Sequence, residues 1–184
     1  MERRPIFALI AAFLLLAPTA SAQGLVDKTA APKTRLEGTY LLTATMTSAQ
    51  GCDNTGCVPL DPLPPFKVLL TFAAGASADE GILVDTSEFQ LVPNPVCTPD
   101  QGSWKRTGKN QFVATHLDFC FDATANYSPA GLSKVRDEIT IASSGHLSGR
   151  QYVEGFDPSG TLVYVAELTI DGNKVQAEAP PSSH

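Results

Sequence analysis

From Glu37 onward the chain alternates apolar and polar residues with a period of two, in short runs broken by turn-forming residues. That pattern predicts half-buried β-strands. In GTYLLTATMT, Thr39, Thr43, Thr45 and Thr47 fall on one parity, and Tyr40, Leu42, Ala44 and Met46 on the other. The four prolines of CVPLDPLPPF exclude a central strand or a helix interior, because proline lacks the amide donor both ladders need. Phe66–Phe72 is the second predicted strand, with Phe66, Val68, Leu70 and Phe72 on one face. Ile82–Asp85 and Phe89–Val92 are short strand candidates. A hairpin follows, built from Ser103–Arg106, the turn Thr107-Gly108-Lys109-Asn110 and the long run Gln111–Asp122. Val135–Ala142, His146–Phe156 and Leu162–Ile170 complete the set, each closed by a Gly-, Ser- or Asp-containing turn. The last of these turns is assigned to Asp171-Gly172-Asn173. A short helix over Asn126–Val135 is the one helical alternative.

About eight short strands joined by tight turns predict an all-β fold, an antiparallel up-and-down β-barrel in which closure removes exposed edges. A β-sandwich is the alternative. Residues 1–22 read as a signal peptide: Arg3 and Arg4, the apolar run Ile6–Leu16 and the small-residue site Ala20-Ser21-Ala22 are the three parts of an export signal. The apolar run is too short to span a bilayer, and no later run is long enough. The mature chain is then expected to begin at Gln23 outside the cytoplasm, secreted or periplasmic. Residues 23–35 read as a flexible leader, 36–176 as a single barrel domain and 177–184 as a disordered tail.

The chain carries 13 basic and 19 acidic residues, for a formal net charge of −6. An acidic surface without a basic run disfavours nucleic acid and anionic membranes as partners. Cys52, Cys57, Cys97 and Cys120 form an even set in an exported chain, which predicts two disulfides. Three pairings are open; Cys52–Cys57, closing the loop CDNTGC, and Cys97–Cys120 are the favoured two. No zinc-type spacing is present, and no metal or cofactor is expected.

The block Gly102-Ser103-Trp104-Lys105-Arg106-Thr107-Gly108, then Phe112 and Phe119-Cys120-Phe121-Asp122, with Lys134-Val135-Arg136 and Gly149 downstream, resembles a group of small exported bacterial proteins. These are similar to the lipocalin-like and allene-oxide-cyclase-like barrels. The resemblance covers roughly residues 36–176, with its specific signature between about 102 and 136. It implies an up-and-down barrel and carries over no catalytic residue.

Candidate chemistry lies on two strands. In QFVATHLDFCFD, Val113, Thr115, Leu117, Phe119 and Phe121 share one face, while Phe112, Ala114, His116, Asp118, Cys120 and Asp122 share the other. The first set is the more apolar, so Phe119 and Phe121 are the expected core residues and His116 and Asp118 the expected exterior. If the second face lined the lumen, His116 and Asp118 would be the best available acid/base or polar binding pair. In HLSGRQYVEGFD, Arg150, Tyr152 and Glu154 share a face, opposite Gly149 and Gly155. Trp104, His116, Arg150 and Tyr152 are therefore the candidate ligand-binding residues: an apolar wall, an imidazole and two polar handles. No nucleophile elbow, P-loop, HExxH or dinucleotide fingerprint occurs. The expected function is non-catalytic binding of a small apolar or amphipathic ligand. A barrel isomerase or cyclase, and a structural or interaction protein with a filled barrel, are the alternatives.

Overall fold

In the computed structural model, which describes residues 34–91 and 94–178, the alternating runs form ten strands. They are β1 (Gly38–Asp53), β2 (Gly56–Pro59), β3 (Phe66–Ala74), β4 (Glu80–Ser87), β5 (Val96–Cys97), β6 (Asp100–Arg106), β7 (Gln111–Asp122), β8 (Ser128–Ile141), β9 (His146–Phe156) and β10 (Leu162–Lys174). Eight of them run β1-β3-β4-β6-β7-β8-β9-β10, each antiparallel to the next, and β10 pairs back onto β1. The sheet is closed, so every barrel strand has two hydrogen-bonded neighbours. This is the predicted up-and-down barrel rather than the sandwich. Strands β2 and β5 are short additions, on β1 and β7 respectively.

Several element boundaries differ from the sequence reading. The strand expected over Phe89–Val92 is not found in its described part: Glu88–Leu91 is a 3₁₀ turn, and Val92 lies outside the described residues. The tract Asn126–Val135 is not helical, because β8 begins at Ser128. Asp171-Gly172-Asn173 is not a turn; β10 continues through it to Lys174. Gly172 sits opposite Leu42 at a close strand approach, where an added Cβ would lie 2.2 Å from the Leu41 carbonyl oxygen. A turn-forming composition here serves close packing between strands instead. The signal-peptide and most of the leader assignments, and residues 179–184 of the tail, lie outside the described residues. Among the described residues, no helix is long and apolar enough to cross a membrane.

Both favoured disulfides are present. Cys52 and Cys57 are directly opposed across the β1–β2 hairpin, and Cys97 and Cys120 across β5–β7. Directly opposed residues of antiparallel strands bring Cα atoms within the range a disulfide bridges.

The inward rows of the strands divide the lumen in two. At one end, large apolar side chains interlock: Tyr40 of β1 with Phe72 of β3, and Trp104 of β6 with Phe112 of β7, both pairs edge to face at ring separations of 5.9 and 5.8 Å. Leu83, Ile139, Leu147 and Ile170 fill the rest of this end and are buried. Glycine on the inward row makes the packing possible. A Cβ on Gly81 would come within 2.6 Å of the Trp104 Nε1 atom, and one on Gly102 within 2.6 Å of His116 Cα. The indole N–H donates to the Ala73 carbonyl at 3.0 Å. Arg106 closes this end. Its guanidinium stacks 4.5 Å from the Phe112 ring centroid and bonds Asp79, Lys109 O and Thr34 O. The GSWKR segment singled out in the sequence is thus the plug of the packed end.

Candidate functional site

On five of the eight barrel strands the inward row changes character at about the same height along the barrel. On β4 it passes from Leu83 to Asp85, on β7 from Phe112 and Ala114 to His116 and Asp118, on β8 from Ile139 to Asp137, and on β9 from Leu147 to Gln151. On β6, Trp104 and Gly102 give way to Asp100. Antiparallel register stacks these positions as neighbours: Asp85 pairs with Asp100, Ala114 with Asp137, and Asp137 with Gln151. Four aspartates, a histidine and a glutamine therefore meet in the middle of the lumen, all buried.

His116 is the hub of this layer and has no exposed surface. Its Nδ1–H donates to Asp100 Oδ2 at 2.6 Å, and its Nε2–H donates to Asp137 Oδ2 at 3.1 Å. Asp85 Oδ2 lies 4.0 Å from Nδ1. Burial alone would pull the imidazolium pKa down. The hydrogen bonds to Asp100 and Asp137, with the charges of Asp137 and Asp85, outweigh it and raise the pKa to about 10. The ring is held as a cation with both N–H groups engaged.

The carboxyls around it are not equivalent. Asp100 is further held by Gln90, whose amide donates to Oδ1 at 2.7 Å from the 3₁₀ turn. Burial pushes the Asp85 carboxyl well above the usual range, only partly offset by His116, and the other aspartates push it further. Its Oδ1 is buried without a hydrogen-bond partner, as is Asp137 Oδ1. Burial also raises Asp118, although its Oδ1 accepts the Ser133 amide at 3.0 Å. Cys120 Sγ lies 3.9 Å from the other oxygen, but a disulfide sulfur carries no hydrogen and donates nothing to it.

Above this layer the barrel opens into a chamber of about 480 Å³. Asp85, Asp100, Asp118 and Gln151 form its polar floor; Phe66, Val68, Val153, Leu168 and Tyr164 form its walls. Leu60 and Leu63 of the proline-rich segment, and the Cys97–Cys120 disulfide, stand at its mouth. A chamber of this volume, apolar with a few convergent polar groups, is the usual form of a small-molecule site.

Asp85, Asp100 and His116 each place one potential metal-ligand atom within 4.8 Å of the others. The imidazole donates through both nitrogens, so a metal there would have to displace the proton that Asp100 holds. Cys97, Asp118 and Cys120 also cluster, but both sulfurs are spent in the disulfide.

Of the four residues singled out from sequence, the structure brings only His116 to the polar layer. Trp104 lies in the packed end, and Arg150 is exposed on the outer face. Tyr152 is half-buried on that same face, and none of these three lines the chamber. The inward residue between Arg150 and Tyr152 is Gln151. The expected faces of β7 are inverted. Phe119 is 59% exposed and Leu117 40%, Phe121 is half-buried beside β5, and His116 and Asp118 point inward. The apolar-face rule fails here because the polar residues satisfy one another across strands, and a barrel exterior tolerates scattered apolar side chains. Asp85, Asp100, Asp137, Gln90 and Gln151 escaped the sequence reading. For the four on strands the signal was a shared parity with Leu83, Trp104, Ile139 and Leu147, visible once the inward row of each strand is known; Gln90, in the 3₁₀ turn, had none.

No known family model matches this chain, and no curated protein matches it in sequence.

Proposed function

We propose that this protein binds a small amphipathic molecule in the open half of its barrel, without transforming it, in a secreted or periplasmic setting. The chamber carries this reading: apolar walls to bury a tail and a floor of hydrogen-bonding groups to fix a polar end. The chamber is lined from all eight barrel strands, so the site is a property of the closed barrel rather than of a loop. The two disulfides are consistent with an oxidising compartment. A lipocalin-like class of exported barrel is the family reading that this architecture supports. Native-state mass spectrometry against fatty acids, aliphatic amines, terpenoids and aromatic metabolites tests the proposal. A bound species retained by the parent protein and lost in Val153→Phe, with the circular dichroism spectrum unchanged, is the expected result. Absence of binding across the panel would defeat it.

A barrel isomerase or cyclase is the second reading. The observation favouring it is that neighbouring carboxyls sit in unequal environments: burial pushes the Asp85 carboxyl well above the usual range, while Asp100 and Asp137 accept from a cationic His116. Such separation suits one group to give a proton and another to take it. Turnover of a bound cyclisable substrate, lost in Asp85→Asn while its binding persists, would establish it.

A further inference from the structure

The chamber's charged side chains are of one sign. Asp61, Asp85, Asp100 and Asp118 line it, and among the described residues no lysine or arginine does. The only cation in the layer beneath, His116, is already committed to Asp100 and Asp137. Asp85 is only 6% exposed, lies on the floor and keeps Oδ1 without a partner. A buried carboxyl oxygen with nothing to accept is unfavourable, and Asp85 borders the chamber. Asp118, held by Ser133, presents a second carboxyl beside it on the floor.

We propose that the chamber selects molecules whose polar end is a protonated amine, seated on Asp85 and Asp118, with an apolar tail lying along Val153, Leu168 and Phe66 toward the mouth. This rests on the binding reading above and names its ligand class. An ammonium group supplies several N–H donors and one positive charge to a floor with surplus carboxyl groups and unfilled acceptors. A carboxylate head would face four aspartates with no cation free to receive it. A hydroxyl head can donate one hydrogen bond but leaves the charge uncompensated. The chain's net negative charge favours the approach of a cation in the same sense.

Binding of an amine draws Asp85 and Asp118 into their ionised forms, so affinity and protonation are linked. Asp85 from β4, Asp100 from β6 and Asp118 from β7 face the seat, with His116 of β7 and Asp137 of β8 in the layer beneath. Asp61 stands at the rim and Tyr164 of β10 in the wall. Strand β9 contributes the neutral Gln151, and β1 and β3 contribute apolar side chains. Both carboxyls that the amine would touch are shifted upward, so acid keeps them neutral and weakens amine binding.

Calorimetric titration of the full mature protein with octylamine, 1-octanol and octanoate, which share one tail, tests the inference. Octylamine is expected to bind at least about tenfold more tightly than 1-octanol, with octanoate weakest. The octylamine affinity should rise between about pH 5 and pH 8 while that of 1-octanol stays flat. Asp85→Asn and Asp118→Asn should each lower the ratio of octylamine to 1-octanol affinity. Equal binding of all three probes, or a preference that survives both substitutions, would overturn the amine assignment and keep the binding reading. Zinc ion alone binding the floor and excluding octylamine would also overturn it. Failure of all three probes to bind would remove both.

Discussion

The two ends of the lumen are built on the same strands and by the same alternation, yet they solve different problems. The packed end excludes water with Tyr40, Phe72, Trp104 and Phe112 in edge-to-face pairs, and its polar needs are met locally, as by the Trp104 bond to Ala73. The chamber end leaves about 480 Å³ open and places four aspartates and His116 at its base. The apolar end is held by contact area, which is indifferent to pH. The polar layer is held by a network whose strength depends on the protonation of each member. A barrel can afford the second because the first secures the closure.

The sharpest contrast is expected between Trp104→Ala and His116→Ala. Both should destabilise by about 3–5 kcal/mol: the first by leaving a large cavity and an unfilled Ala73 carbonyl, the second by leaving Asp100 and Asp137 buried without their cation. Chemical denaturation across pH separates them. The Trp104→Ala loss should hold constant. The His116→Ala loss should be greatest below about pH 6.5 and shrink as pH rises through about 10, since the imidazolium pKa is raised on folding. Parallel pH profiles for the two variants would show that the layer is not the charged network described.

The parent protein should show the same linkage more mildly. His116 stabilises the fold while it is protonated in the native state and would be so less readily in the unfolded chain. That contribution is complete below the unfolded pKa and is lost as pH rises through the folded one. Asp85 acts in the same direction for the opposite reason. Its carboxyl is raised by burial, so above the ordinary carboxylate pKa the unfolded chain gains by ionising and the native state does not. The melting temperature should therefore be higher near pH 5–6 than near pH 9–10, by direct calorimetry. Asp85→Asn removes the second contribution and should raise the melting temperature at about pH 8 by some 2–4 °C for each kcal/mol relieved.

The smallest effect is expected on the outer wall. Phe119→Ala should change stability by less than about 1 kcal/mol, because Phe119 is 59% exposed. A loss comparable to that of Phe112→Ala, its counterpart on the inner face of β7, would mean that the outer face of this strand is covered in solution.

Much of the fold was legible because strand alternation, turn residues and proline placement act locally. The parity of Tyr40, Leu42, Ala44 and Met46 against the threonines of β1 gave its inner face correctly, and the even cysteine count pointed to two disulfides whose favoured pairing, one of three, is the one present. The same parity rule erred on β7. There, Val113, Leu117 and Phe119 outweigh their opposite row in apolar character, yet they face outward. The β1 register hides a further device: a bulge between Met46 and Ser48 shifts the parity, so that Ala49 rather than Ser48 faces the chamber.

Sequence by itself determined a run of turn-linked antiparallel strands and an even cysteine set suited to two disulfides, since those features follow from residues near one another or from counting; closure of β10 onto β1 and the pairing chosen among three are properties of the structure. Only the tertiary structure decided which row of each strand faces inward and what meets there. Asp100 and Asp137 lie 16 and 21 residues from His116 along the chain, and Asp85 is on a strand that does not pair with β7. Their convergence is a consequence of barrel closure and strand register. Burying His116 becomes favourable only once all of those partners are in place, and that condition cannot be read along any single strand.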